Sequence, residues 1–136
     1  MKKLNWLFLF LFTFAFVACD DDDEDVTLDT TNPTVVISSP TTGQSFAAGD
    51  VVEVRARVED NMGLEEIRVY VTDPSGTKRE VEDVRVSDFL NDNRNKDLDV
   101  DVRLDAAAPA GAYTMTIEAE DEAGNIGSAT VAVTIM

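Results

Sequence analysis

"VVEVRARVED", residues 51 to 60, decides the fold. Val52, Val54, Ala56 and Val58 fall on one side of an extended chain, and Glu53, Arg55 and Arg57 on the other. Successive side chains of a strand point to opposite faces, so this alternation marks a strand with one buried and one wet face. The same period of two returns along the chain. "LEEIRVYV" (64–71) puts Ile67, Val69 and Val71 inward, and "DLDVDVRL" (97–104) puts Leu98, Val100, Val102 and Leu104 inward. "AYTMTIEAED" (112–121) buries Tyr113, Met115, Ile117 and Ala119, and "SATVAVTI" (128–135) buries Ala129, Val131, Val133 and Ile135. "TVVISSP" (34–40) opens the series and "KREVE" (78–82) is a weaker strand. A helical period is expected for at most one turn, at "VSDFLN" (86–91).

Turn chemistry separates these runs: "SPTTGQ" and "AAGD", then "DNMG", "DPSG", "DAAAPAG" and "DEAGN". About seven short strands with regular breaks predict an all-β, antiparallel β-sandwich. The 104 residues from 33 to 136 suit one such domain. Tyr113, two residues after Gly111, stands where a tyrosine corner belongs in immunoglobulin-like and fibronectin III-like sandwiches, the alternative being a plain core tyrosine. The whole segment, from "PTVVISSP" through "EDEAGNIGSATVAVTI", resembles the Ig-like domains of bacterial surface lipoproteins, many of unknown function. Such a fold hosts many functions and names none.

The first nineteen residues read differently. Lys2 and Lys3 precede an apolar run too short to span a bilayer, which is the form of a secretory signal. Phe16-Val17-Ala18-Cys19 resembles the lipobox of bacterial lipoproteins, with phenylalanine at the usual leucine position. The resemblance implies cleavage after residue 18 and acylation of Cys19. Several acyl chains on one residue hold a soluble domain durably, where one chain does not. The alternative is a cleaved secretory signal that leaves a free cysteine. "DDDDED" (20–25) cannot collapse, because its charges repel and it has nothing apolar to bury. It reads as a solvated spacer within a flexible linker of residues 19 to 32. It also resembles the acidic signal that sends some Gram-negative lipoproteins to the cell surface of the outer membrane, with the periplasmic leaflet as the alternative. Asp29-Thr30-Thr31 resembles an O-glycosylation sequon of the same bacteria, with Thr30 as the acceptor.

Composition sets limits. The chain carries 27 acidic and 11 basic residues; without residues 1 to 19 there are 9 basic residues and a formal charge of −18. Nucleic acid binding needs the opposite surplus. No cysteine remains in the domain, so no disulfide supports it. There is no histidine, which removes histidine-dependent nucleophiles and Cys–His zinc sites. No phosphate-binding glycine loop appears, and a sandwich with short loops gives a carboxylate pair no deep cleft. The chain is therefore not expected to be an enzyme.

Two sites are expected. Tyr70 lies on the outer face of its strand, and beside Phe89 it could form an aromatic platform for a glycan; otherwise it only covers the sheet. Calcium is the candidate cofactor. In an Ig-like sandwich the loops after residues 59 and 120 meet at the end where the chain enters. That end gathers Glu59, Asp60, Asn61, Glu120, Asp121 and Asn125, with Asp29 in the entering linker. Calcium takes six to eight oxygens from such groups, and cadherin-like domains place it at a similar junction, a partial likeness. Ordinary Asx-turn chemistry is the alternative. The expected partners are the membrane, through the anchor, and an envelope or extracellular protein, with a glycan as the alternative. The opposite end, carrying "TTGQSFAAG", "DPSGTK" and "DAAAPAG", faces away from lipid.

In this topology the strands at 51–60 and 97–104 are antiparallel neighbours, so Arg55 and Arg57 are expected to meet Asp99 and Asp101 across them. Reversing both arginines to glutamate lowers the thermal midpoint of the protein; an unchanged midpoint in a melting experiment contradicts the pairing.

Overall fold

The structure, a computed structural model, describes residues 27 to 84 and 93 to 136. Cys19, the acidic run, Phe89 and the "VSDFLN" turn lie outside the described residues.

Two sheets face one another. One has the order β1-β3-β6, built from Thr34–Ser39, Val51–Glu59 and Asn95–Arg103. The other contains β2 (Ser45–Phe46), β8 (Ile126–Ile135), β7 (Gly111–Asp121), β4 (Leu64–Thr72) and β5 (Lys78–Glu80), in that order. Eight strands thus form among the described residues, one more than the sequence periodicity predicts. The addition is β2, whose two residues are too short to show a period; it runs parallel to β8. Glu82–Val84 form a 3-10 turn after β5.

The alternating residues make the core. Val52, Val54, Ala56 and Val58 of β3 face Ile67 and Val69 of β4 and Met115, Ile117 and Ala119 of β7, all at 4% exposure or less. Burying each large aliphatic side chain contributes about 1.5–3 kcal/mol, and with no disulfide in the domain this is what holds the sheets together. Leu64 and Val84 join them, which the alternation alone did not indicate. Val71 and Val100 are half-buried against the same cluster. The nine-residue β6 pairs with β3 alone in its sheet, and its outward Asp97, Asp99 and Asp101 guard that edge with charge.

Register decides the surface ion pairs. Arg55 lies opposite Asp99, and Arg57 opposite Asp97. The contacts follow: Arg55 Nε to Asp99 is 3.2 Å and Arg57 Nη1 to Asp97 is 2.8 Å. Asp101, expected as a partner, stands opposite Glu53 instead, because the ladder is shifted by two residues from that expectation.

Two close contacts fix the ends of the sandwich. At the far end the Tyr113 hydroxyl donates to the Pro109 carbonyl, 2.9 Å away, the tyrosine corner read from the sequence. Gly111 precedes it with φ +149°, and a Cβ there would stand 2.7 Å from Pro74. At the near end the entering chain lies on β8. A Cβ on Gly127 would fall 1.8 Å from the Pro33 carbonyl oxygen, and Pro33 is buried.

Removing the tyrosine hydroxyl with Tyr113→Phe leaves the Pro109 carbonyl without its donor; denaturant unfolding should show a loss of about 1 kcal/mol. Gly127→Ala forces the entering chain off β8. A loss of roughly 1–3 kcal/mol is expected, together with faster protease cleavage near residues 29 to 33, which limited proteolysis measures.

Candidate metal centre

The inward parity of β3 and β7 continues beyond the apolar core. After Val52, Val54, Ala56 and Val58, the next inward position is Asp60; after Tyr113, Met115, Ile117 and Ala119, it is Asp121. Both strands end here, since Thr34 pairs with Glu59 and Glu120 with Ile126. The two aspartates therefore meet where the chain enters. Asp29 arrives from that chain, and carboxylate oxygens of Asp29, Asp60 and Asp121 all lie within 4.8 Å of one another.

Each carboxylate is oriented by the chain around it. Asp60 Oδ2 accepts from the Met62 and Gly63 amides at 2.7 and 2.8 Å. Asp121 is wholly buried, and its Oδ1 accepts from the Ala123 and Asn125 amides at 2.9 and 2.8 Å. Asp29 Oδ1 accepts from the Thr31 amide and from Asn61 Nδ2, both at 3.0 Å. The Thr31 amide, with help from Asn61, holds the Asp29 carboxyl below its usual range. Asn125 ties the pieces together: its Nδ2 donates to Asp121 Oδ2 at 2.8 Å and to the Asp29 carbonyl at 3.1 Å.

Of the residues expected here, Asp60 and Asp121 provide carboxylates, while Asn61 positions Asp29 and Asn125 positions Asp121. Glu59 and Glu120 sit on the outward parity. Glu59 meets Arg57 Nε at 2.6 Å, and Glu120 meets Arg68 at 3.3 Å. The linker expected to run free to residue 32 is fixed to the domain from Asp29 onward by these bonds. Thr30 beside it is exposed.

The set is all oxygen and mostly anionic, the kind that hard divalent cations prefer. Two oxygens each about 2.4 Å from one calcium stand at most about 4.8 Å apart, and the three carboxylates meet that limit.

The other sequence candidate is Tyr70. It is half-buried, with Lys78 Nζ 3.9 Å from its ring centroid. Burial first, and then Glu118 and Glu80, push its hydroxyl above the ordinary tyrosine value. At the far end a recess of about 500 Å³ opens between the sheets. Its floor includes Val71, Val102, Leu104 and Tyr113, and its rim Asp73 and Arg79. Periodicity gives no signal for such a recess, because it depends on how far the strand ends splay.

Among solved structures the chain is similar to the fibronectin(III)-like modules of Clostridium thermocellum CbhA, with TM-score 0.53 and 19% identity over 75% of this chain and 94% of that one. It is also similar to a Niemann-Pick type C2 protein from Japanese carpenter ant, with TM-score 0.53 and 13% identity over 76% and 89% of the two chains. At such identities the likeness shows a shared fold: an all-β, fibronectin III-like sandwich. No curated protein matches the chain. The family model for a domain of unknown function, DUF4625, matches residues 17 to 136, and the chain belongs to that family.

Proposed function

We propose that this chain is a lipid-tethered, non-catalytic binding module, held by Cys19 to the outer membrane and displayed at the cell surface. The lipobox-like Phe16–Cys19 and the acidic run behind it support the anchor and the display. The observation that carries the reading is polarity of the body. The chain enters at the aspartate end, and the loops after β1, β2, β4 and β6 gather at the other, where the Gly49 amide after β2 donates to the Asp105 carbonyl after β6 at 3.2 Å. Residues 20 to 28 could extend about 30 Å, so the far end and its recess are carried clear of the lipid.

Chemistry at that tip favours binding over catalysis. A general acid needs a carboxyl raised toward neutral pH. Asp73 on the rim is shifted the other way, first by the Ser75 hydroxyl and then by the Thr77 amide. An apolar floor under a charged rim suits a partner's side chain, and a protein of the envelope or the exterior is the partner it fits. The lysine over Tyr70 weighs against the alternative of a carbohydrate stacked on that ring.

Metabolic labelling with an alkynyl fatty acid, followed by protease treatment of intact cells, tests the reading. The full chain should take up label, Cys19→Ala should not, and external protease should remove the domain. A wild-type chain that stays unlabelled, or a domain protected until the outer membrane is opened, overturns it.

A further inference from the structure

We propose that Asp29, Asp60 and Asp121 form a calcium site that clamps the entering chain to the root of the sandwich. This goes beyond the tethered-module reading and stands without it, since a chain that is never acylated would still hold the ion.

Clustered acids alone would not carry this, because exposed carboxylates often gather without a ligand. Here the bonding pattern points to one. Backbone amides and Asn61 satisfy one oxygen each of Asp29 and Asp60, and the other oxygens, Asp29 Oδ2 and Asp60 Oδ1, are buried without any hydrogen-bond donor. A buried anionic oxygen without a donor is costly, and natural folds rarely leave two side by side. Neither is neutralised by a basic side chain: among the described residues no ion pair involves Asp29, Asp60 or Asp121. A fully buried third carboxylate faces them. A cation would satisfy the orphaned oxygens and remove the mutual repulsion in one step.

The identity of the ion follows from its ligands. The three ligands offer carboxylate oxygen only, with no thiolate or imidazole among them, which removes the softer metals' usual donors. The three carboxylates come from chain segments far apart in sequence, so the site can relax as they do. Calcium tolerates such flexible geometry with waters completing its shell, whereas magnesium demands a tight octahedron and sheds water reluctantly. The consequence is mechanical. One ion would join the linker, the β3–β4 turn and the β7–β8 turn, adding a clamp to the hydrogen bonds from Asn61 and Asn125 that already hold Asp29 there.

The test uses the full chain in detergent, stripped with a chelator, with calcium chloride alone as the probe. Calorimetry should show about one saturable site per chain, within or below the roughly 0.1–1 mM range of extracellular calcium modules, and the melting point should rise with calcium. Asp29→Asn and Asp60→Asn keep an oxygen acceptor for their local turns. Each should weaken calcium binding at least tenfold, while the metal-free melting point stays level or rises because a repulsive charge has gone. That second readout separates a lost ligand from a damaged fold. Absence of heat and of any melting shift up to about 10 mM calcium overturns the site, as do variants that bind like the wild type. An equal response to magnesium overturns the choice of ion.

Discussion

The inner faces of two sheets, one built on Val52 to Val58 and the other on Ile67, Val69 and Tyr113 to Ala119, are joined by no covalent bond. Their packing is the constraint on which the rest of the molecule depends. To keep an apolar residue at every second position, β3 and β7 must hold a strict parity for their whole length. When the apolar residues end, the parity does not, and the next inward position on each strand is an aspartate. The rule that builds the core therefore places Asp60 and Asp121 at the seam between the sheets, where water is scarce. One-residue neighbours Glu59 and Glu120 fall on the wet faces and find arginines there.

The entering chain completes that end of the body. Pro33 lies so close to β8 that only glycine fits at position 127, and Asp29 is bonded to Asn61 and Asn125 from the two adjoining turns. Contacts separated by 32 and 96 positions along the chain thus hold the root. Upstream of Asp29, residues 20 to 25 are six consecutive acids with nothing apolar among them. Asp29 is where the entering chain is bonded to both turns, and the electrostatics of the cluster bear on how firmly it is held.

Much of this is legible in the sequence, for a physical reason. A buried strand face requires a period of two, so the inward sets of five strands can be read directly. The tyrosine corner can be read as well, because Tyr113 lies at a fixed offset from the strand start. Strand β2 cannot, since two residues carry no period and its pairing is made by the distant end of β8. The register of β6 against β3 is hidden too. The residues that join β6 to the preceding turn carry no turn signal strict enough to fix it, and Arg57 meets Asp97 rather than Asp101. Topology brings the right loops to the candidate site, yet it admits six residues there with equal ease. Parity would have sorted them, by extending the inward series one step to Asp60 and Asp121 and leaving Glu59 and Glu120 outside. The weight of Asp29 was harder to see, because a linker residue has no strand to assign its side.

The most direct measurement of the central claim is anomalous diffraction from crystals of the full chain grown with a lanthanide, which takes the same hard oxygen ligands as calcium. The account predicts one strong peak between Asp29, Asp60 and Asp121, with oxygens from all three within bonding distance. Peaks confined to the outer sheet faces, with the three carboxylates apart and facing solvent, would contradict it.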